Sequence, residues 1–502
     1  MASLIAGPAL WLLAYALLYW FALFAFVWIH SLSGARLAVH TGRQDRGSVL
    51  VLVPSHHEGE GLVDTVRTLI DQDYAGPIEL QVLVEDFSDE TVFALSRAYG
   101  ERINRDGVLE LDIREPQRAV SVVAVGDNAK HAKLNYALER AKADYIALLD
   151  ADHRACLDWV SNGVSVLIAK GADAVQFRKR ALSSGGLPRT WDSGLSHLTF
   201  ELFNRALQLS FGGVSFTGST AVFRSGPLRE HRFSDCITED TFLSYSLMLT
   251  GHRIVYDART GSFEEVTPNI PSFVFRRRRW SAGHTHAFIH HLPAVIQSKA
   301  PIESKILVLF NGQFFLIPAV ISVFFLVHGA YYFALFPVEM RALVLLASGL
   351  GAALLSLWLS RRRTTKINDF LVSWFVLFPQ ACIGGTALAD LVLGERYLYL
   401  TAFPFERYVW LAEFLFFLAG IVTFVLAGAR IGGGRVSGRL LFVLSFPALV
   451  FFDLLSAVFG LSDFLLSRRQ WSVIDRTQAY SCLLYTSPSP RDATLSRMPS
   501  SA

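Results

Sequence analysis

Tyr145-Ile146-Ala147-Leu148-Leu149-Asp150-Ala151-Asp152-His153 is a run of five apolar residues leading into two acids one residue apart. A run this short and continuous is predicted to be a strand buried on both faces, as in a parallel sheet. Successive extended residues alternate sides, so Asp150 and Asp152 project together at the strand end while Ala151 points back. Two convergent carboxylates suit a hard divalent cation, Mg2+ or Mn2+, which prefers oxygen ligands and often shares them with a phosphate. A solvated turn or a helix cap uses the same residues.

Runs of the same kind occur at 48–53, 80–84, 121–125 and 174–177, separated by helix-like segments. Together they predict an α/β domain with a mostly parallel sheet, whose ligands gather at the carboxyl ends of the strands. Polar residues stand at those ends: Pro54-Ser55-His56-His57-Glu58 after the first run and Glu85-Asp86 after the second. Three further stretches carry chemistry. Lys130 opens a helical pattern with Leu134-Asn135, and Thr238-Glu239-Asp240 precedes the helical run 241–249. Arg276-Arg277-Arg278-Arg279-Trp280 comes just before an apolar segment. Taken singly, these read as a solvated lysine, a helix cap with acids favoured by the macrodipole, and a basic patch at a membrane surface.

Outside this domain the composition changes. Of 502 residues 52% are hydrophobic and only 18% charged, with 39 Phe and 10 Trp, an apolar excess that is concentrated in a few runs. Residues 8–29, 306–337 and 342–360 contain no Asp, Glu, Lys or Arg, and 370–394, 408–428 and 440–466 carry one or two acids each. Each run reaches or exceeds the ~20 residues that cross a bilayer as a helix. The chain is therefore predicted as an N-terminal anchor (1–40), a catalytic domain (41–305) with an interfacial segment near its end, and a transmembrane bundle (306–480) of five or six crossings. Arg36, Arg43, Arg46 and Arg361-Arg362-Arg363 put the domain on the cytoplasmic side of an inner or plasma membrane. Asp390, Glu413, Asp453 and Asp463 are candidates to line a channel, because intramembrane acids face protein or water. Residues 481–502, with six Ser and three Pro, have no structural period and read as an adapter-derived tail.

A net charge of +3 argues for no nucleic-acid partner. The four cysteines lack the paired spacings of a disulfide or zinc framework. His284, His286, His290 and His291, after the arginine block, read as interfacial packing rather than metal ligands.

The ordered set Asp86, Asp150-x-Asp152, Thr238-Glu239-Asp240 and Arg276-x-x-Arg279-Trp280 resembles that of the membrane-integrated inverting glycosyltransferases of family 2. That group holds cellulose, chitin, hyaluronan and curdlan synthases and, more distantly, ceramide glucosyltransferase. The resemblance spans about residues 50–283 and implies a GT-A, Rossmann-like domain attached to membrane helices. It implies transfer of a sugar, with inversion, from a nucleotide diphosphate donor, UDP-linked, to a growing polysaccharide. The alternatives are a lipid acceptor and a catalytically silent membrane scaffold. By the same resemblance Asp240 is the catalytic base. Glu58, Asp86, Lys130, Asp150, Arg276 and Arg279 are assigned to the donor, and Gly218, Glu239 and Trp280 to the acceptor. Asp152 with Asp150 binds Mg2+ or Mn2+. Two positions depart from the pattern: Glu85 stands where a first Asp is usual, and Arg276 replaces the Gln of processive synthases, as in ceramide glucosyltransferase.

Overall fold

The computed structural model describes residues 46–181, 187–267, 269–320, 322, 338–360 and 445–467, with scattered positions between 15 and 29. Along the chain run β1 (Val49–Pro54), α1 (Gly61–Ile70), β2 (Ile78–Val84), α2 (Glu90–Tyr99), β3 (Glu101–Arg105), β4 (Val108–Leu111), β5 (Arg118–Ala124), α3 (Lys130–Arg140), β6 (Tyr145–Leu148) and β7 (His153–Ala155). There follow α4 (Trp159–Lys170), β8 (Ala174–Ala181), α5 (Leu187–His197), a π-helical turn (Leu198–Phe203), α6 (Asn204–Phe211), β9 (Ala221–Arg224), α7 (Ser225–Glu230), α8 (Glu239–Leu249) and β10 (Ile254–Glu264). Four helices close the described chain: α9 (Ile270–Gln297), α10 (Ile302–Gly312), α11 (Val338–Ser360) and α12 (Phe446–Leu465).

The strands form one sheet in the order β3-β4-β5-β2-β1-β6-β9-β8-β10-β7. In β1, Val49, Val51 and Val53 enter one core and Leu50 and Leu52 the other, the period-2 alternation of a strand covered on both faces. The first core packs α1, α2 and α4 against the sheet, and the second packs α3, α8 and α9 against its other side.

All five expected strands form, as β1, β2, β5, β6 and β8. The sheet is parallel across β5-β2-β1-β6, but β9 lies antiparallel between β6 and β8, and β3, β4 and β7 are antiparallel at the edges. It is mixed, where the sequence suggested a mostly parallel one. The carboxyl ends of β1, β2 and β6 share one edge. Because β9 runs the other way, the 216–220 segment that feeds it arrives at that same edge.

Helix α12 lies along α9. Gly460 makes the approach possible, since a Cβ there would sit 2.4 Å from Ser281 Cβ and 2.7 Å from the Arg278 carbonyl. The Ser281 hydroxyl donates to the carbonyl of Ala457 at 3.1 Å. Trp191, Phe273 and Phe459 fill the space between α5, α9 and α12.

Among the described residues no helix is long and apolar enough to cross a membrane. Residues 370–394, 408–428 and the 481–502 tail lie outside the described residues. On α11, Leu343, Leu346, Leu350 and Leu354, spaced three or four apart, are all more than half exposed.

Candidate active site

Strand β6 delivers the acid pair. The Leu149 amide donates to the Leu52 carbonyl, extending the pairing by one residue, and the chain leaves the sheet at Asp150, whose amide is fixed by the Ser219 hydroxyl at 2.8 Å. Asp150, Asp152 and His153 each offer a ligand atom, all within 4.8 Å of one another. The sequence reading missed His153, because a histidine after D-x-D carries no signal until β7 turns it inward. Its Nδ1 meets the hydroxyls of Ser262 (2.7 Å) and Thr220 (3.3 Å), and its Nε2 stands 3.8 Å from Asp152 and 3.6 Å from Glu264. Burial pushes this imidazole down to about 4, so it is neutral at pH 7. Burial pushes Glu264 up to about 7 against the pull of Lys179 and Arg276. Two carboxylates beside a neutral imidazole fit Mn2+ or Mg2+, the nitrogen favouring Mn2+.

Lys130, at the first turn of α3, is no solvated charge. Its ammonium lies 2.8 Å from Asp150 Oδ1, 3.0 Å from Glu239 Oε1 and 3.1 Å from the Gly218 carbonyl, to which it donates. Burial alone would lower it, but Asp150, Glu239 and Asp240 outweigh that and hold it above the ordinary lysine range. One cation thus ties together three segments that lie far apart in the chain.

Asp240 sits in the first turn of α8. Thr238 makes no side-chain capping bond there, so the two acids serve something other than a conventional cap. The Thr241 amide donates to Asp240 Oδ1 at 2.7 Å, while Oδ2 faces Gly218. Burial pushes the carboxyl of Asp240 up and Lys130 opposes it; Glu239 shifts the same way for the same reasons. Gly218 has φ +85°, and a Cβ there would lie 2.9 Å from Asp240 Oδ2. Gly218→Ala therefore both strains the backbone, at about 1–3 kcal/mol, and displaces the carboxylate. Thermal unfolding of the variant is expected at lower temperature, together with reduced turnover, and an unchanged melting curve would refute the packing. Lys179, also missed in the sequence, donates to the Thr217 carbonyl next door and adds a second cation near Asp240.

The loop after β1 is built from α2. Asp89 accepts from the amides of His57 (3.0 Å) and Thr91 (2.9 Å), and the Thr91 hydroxyl accepts from the amides of Glu58 (3.0 Å) and Gly59 (3.3 Å). Buried Lys133, one turn beyond Lys130, donates to the Ser55 carbonyl at 2.7 Å. Asp86 stands exposed just past β2, its carboxyl held below the usual range by hydrogen bonds from the hydroxyl and amide of Ser88.

The arginine block is not one patch. Arg276 pairs with buried Asp192, which also accepts from the amide and hydroxyl of Thr267, and its guanidinium lies 4.9 Å from the Trp280 ring centre. Arg277 pairs with Asp453, and Arg278 forms a two-pronged pair with Asp463 at 2.5 and 2.7 Å. Asp453 and Asp463 therefore bind α12 to α9, in place of the channel lining expected of them. Arg279 and Trp280 are half-buried. Gly283 lets α9 press on the Thr238 turn, where a Cβ would come within 2.5 Å of Thr238 Cγ2. His284, His286, His290 and His291 meet Thr241, Cys236, Phe242 and Ser246 respectively.

Residues 46–283 match the family described as Glycosyltransferase like family 2. Among solved structures the chain is similar to the mannosyltransferase PcManGT from Pyrobaculum calidifontis in complex with GDP-Man and Mn2+, with 21% identity, a TM-score of 0.49, and coverage of 76% of this chain and 99% of that one. It is also similar to S. aureus TarS 1–349 in complex with UDP-GlcNAc, with 12% identity, a TM-score of 0.34, and coverage of 70% of this chain and 93% of that one. No curated protein matches the chain.

Proposed function

We propose that residues 46–283, which match the family described as Glycosyltransferase like family 2, form a GT-A-like domain that transfers a sugar from a nucleotide diphosphate donor, UDP-linked, to an acceptor hydroxyl with inversion. The observation that carries this reading is the junction at Lys130, which joins the metal-capable pair at Asp150 to the Glu239-Asp240 pair.

Asp240 takes the proton of the acceptor hydroxyl while that oxygen bonds to the anomeric carbon from the face opposite the diphosphate. The anomeric carbon–oxygen bond breaks, and its electron pair leaves on the nucleoside diphosphate. Asp150 and Asp152, with His153 beside them, would hold Mg2+ or Mn2+, which when bound neutralises charge on the departing diphosphate. Glu58 and Asp86 serve the nucleoside, Arg279 the diphosphate, and Trp280, stacked with Arg276, offers the acceptor a flat apolar face. Glu239 and Gly218 shape the acceptor side next to the base.

The polysaccharide reading takes the C-terminal helices as a membrane bundle, with the catalytic domain cytoplasmic; the apolar runs and the outward leucines of α11 support it. A lipid acceptor is favoured by Arg276, which stands where processive enzymes carry Gln. A donor screen tests the activity: nucleotide released from UDP-glucose, UDP-GlcNAc, UDP-glucuronate and GDP-mannose, in detergent, with Mn2+ or Mg2+ and with chelator. One donor is expected to turn over and to stop with chelator; release from none would refute the reading. Sizing the labelled product then separates a polymer ladder from a single organic-soluble product.

A further inference from the structure

Glu230, His231 and His252 lie at the opposite edge of the sheet from the acid pair, beside the amino ends of β8 and β10. Each offers a ligand atom, and these lie within 4.8 Å of one another. The three come from rigid ends: Glu230 closes α7, His231 follows it with its amide bonded to the Pro227 carbonyl, and His252 follows the turn at Gly251 (φ +95°) that leads into β10.

The hydrogen bonds around the two imidazoles set their tautomers. The Thr250 hydroxyl donates to the carbonyls of Ser246 (2.9 Å) and Leu247 (3.0 Å), so at its 3.1 Å contact with His231 Nε2 the ring is the donor and Nδ1 keeps its lone pair. His252 Nδ1 lies 3.4 Å from Asp173 Oδ1, a partner for an Nδ1 proton, and its Nε2 lies 3.7 Å from Glu230 Oε2. Asp173 is itself fixed, because its other oxygen accepts from the Arg253 amide at 2.8 Å. A carboxylate behind a histidine, orienting it for a metal in front, is the usual support of a zinc ligand.

We propose that Glu230, His231 and His252 form a second metal site, for Zn2+ or a similar borderline ion, with Asp173 orienting His252. Two imidazoles and one carboxylate leave a fourth tetrahedral position for water. The donor set separates it from the Asp150 site, since nitrogen ligands select Zn2+ over Mg2+ and Mn2+. Bound there, the ion would staple the start of the 231–238 segment, which ends at the catalytic acids, to the base of β10.

The test is calorimetric titration of Zn2+ into chelator-treated full-length protein in detergent, with saturating Mn2+ present to fill the oxygen-rich site. One Zn2+ per chain is expected to bind in the wild type and in Asp152→Asn, and to be lost in His231→Gln and His252→Gln. Asp173→Asn should bind it about 10- to 100-fold more weakly. Circular dichroism melts in chelator should match the wild type, so that loss of binding reports the site and not the fold. If either histidine variant melts early, Glu230→Gln and Asp173→Asn carry the test. Equal zinc binding by the wild type and these variants, or no stoichiometric binding by the wild type, would overturn the proposal.

Discussion

Asp240→Asn is expected to lower sugar transfer by about 10²- to 10⁴-fold, the range a positioned general base supplies, while nucleotide binding stays at the wild-type level. The substitution is nearly isosteric. The Asn oxygen still accepts from the Thr241 amide, and the amide nitrogen takes the place of Oδ2 opposite Gly218. What disappears is proton affinity at the atom that faces Gly218. Burial raises that affinity in the native protein and Lys130 restrains it, which leaves a carboxyl more basic than one in water. Acceptor-dependent transfer and UDP binding, measured on the same preparation, decide the matter. Transfer at the wild-type rate would remove Asp240 from the mechanism, and loss of UDP binding along with transfer would point to a structural role.

The second large effect is expected far from the chemistry. Arg278 and Asp463 are 8% and 12% exposed and meet in a two-pronged pair. Removing one member of such a pair strands the other charge, at a cost of about 3–5 kcal/mol. Arg278→Ala should therefore melt markedly earlier than the wild type, and Asp463→Asn likewise. The reversed pair, Arg278→Asp with Asp463→Arg, should recover part of the loss, because the attraction survives exchange even where the fit does not. A melting temperature for Arg278→Ala equal to the wild type would mean that α12 does not rest on this pair. Transfer should fall with stability in the single variants, since the same helix carries Arg279 and Trp280.

These two cases mark how far the sequence could be read. Strands β1, β2, β5, β6 and β8 were legible because burial on both faces writes them as short apolar runs. Strand β9 was not, being four residues that end on Arg224. Strand β10 was hidden by a register shift between Asp257 and Gly261, which fills its middle with polar residues. In the site, the motif residues Asp150, Lys130 and Asp240 were legible as types, but their meeting was not. Lys130 looked like a solvated lysine until the fold surrounded it with three carboxylates. His153, Lys133, Lys179 and Asp192 belong to the site through contacts that no short spacing encodes. The arginine block was misleading for a geometric reason: consecutive helical residues point about 100° apart. Four adjacent arginines therefore divide among different partners, and those of Arg277 and Arg278 lie 176 and 185 residues further along the chain.

Helix α9 runs from Ile270 to Gln297, about 42 Å of continuous helix, whereas the family likeness stops at Gly283, near its midpoint. The unit that sequence similarity recognises is thus shorter than the unit that folds. A fragment cut at 283 would keep every motif and still end on half a helix, with Arg277 and Arg278 deprived of the acids that answer them. Modularity here follows the packing: the smallest fragment worth expressing keeps α9 entire and brings α12 with it.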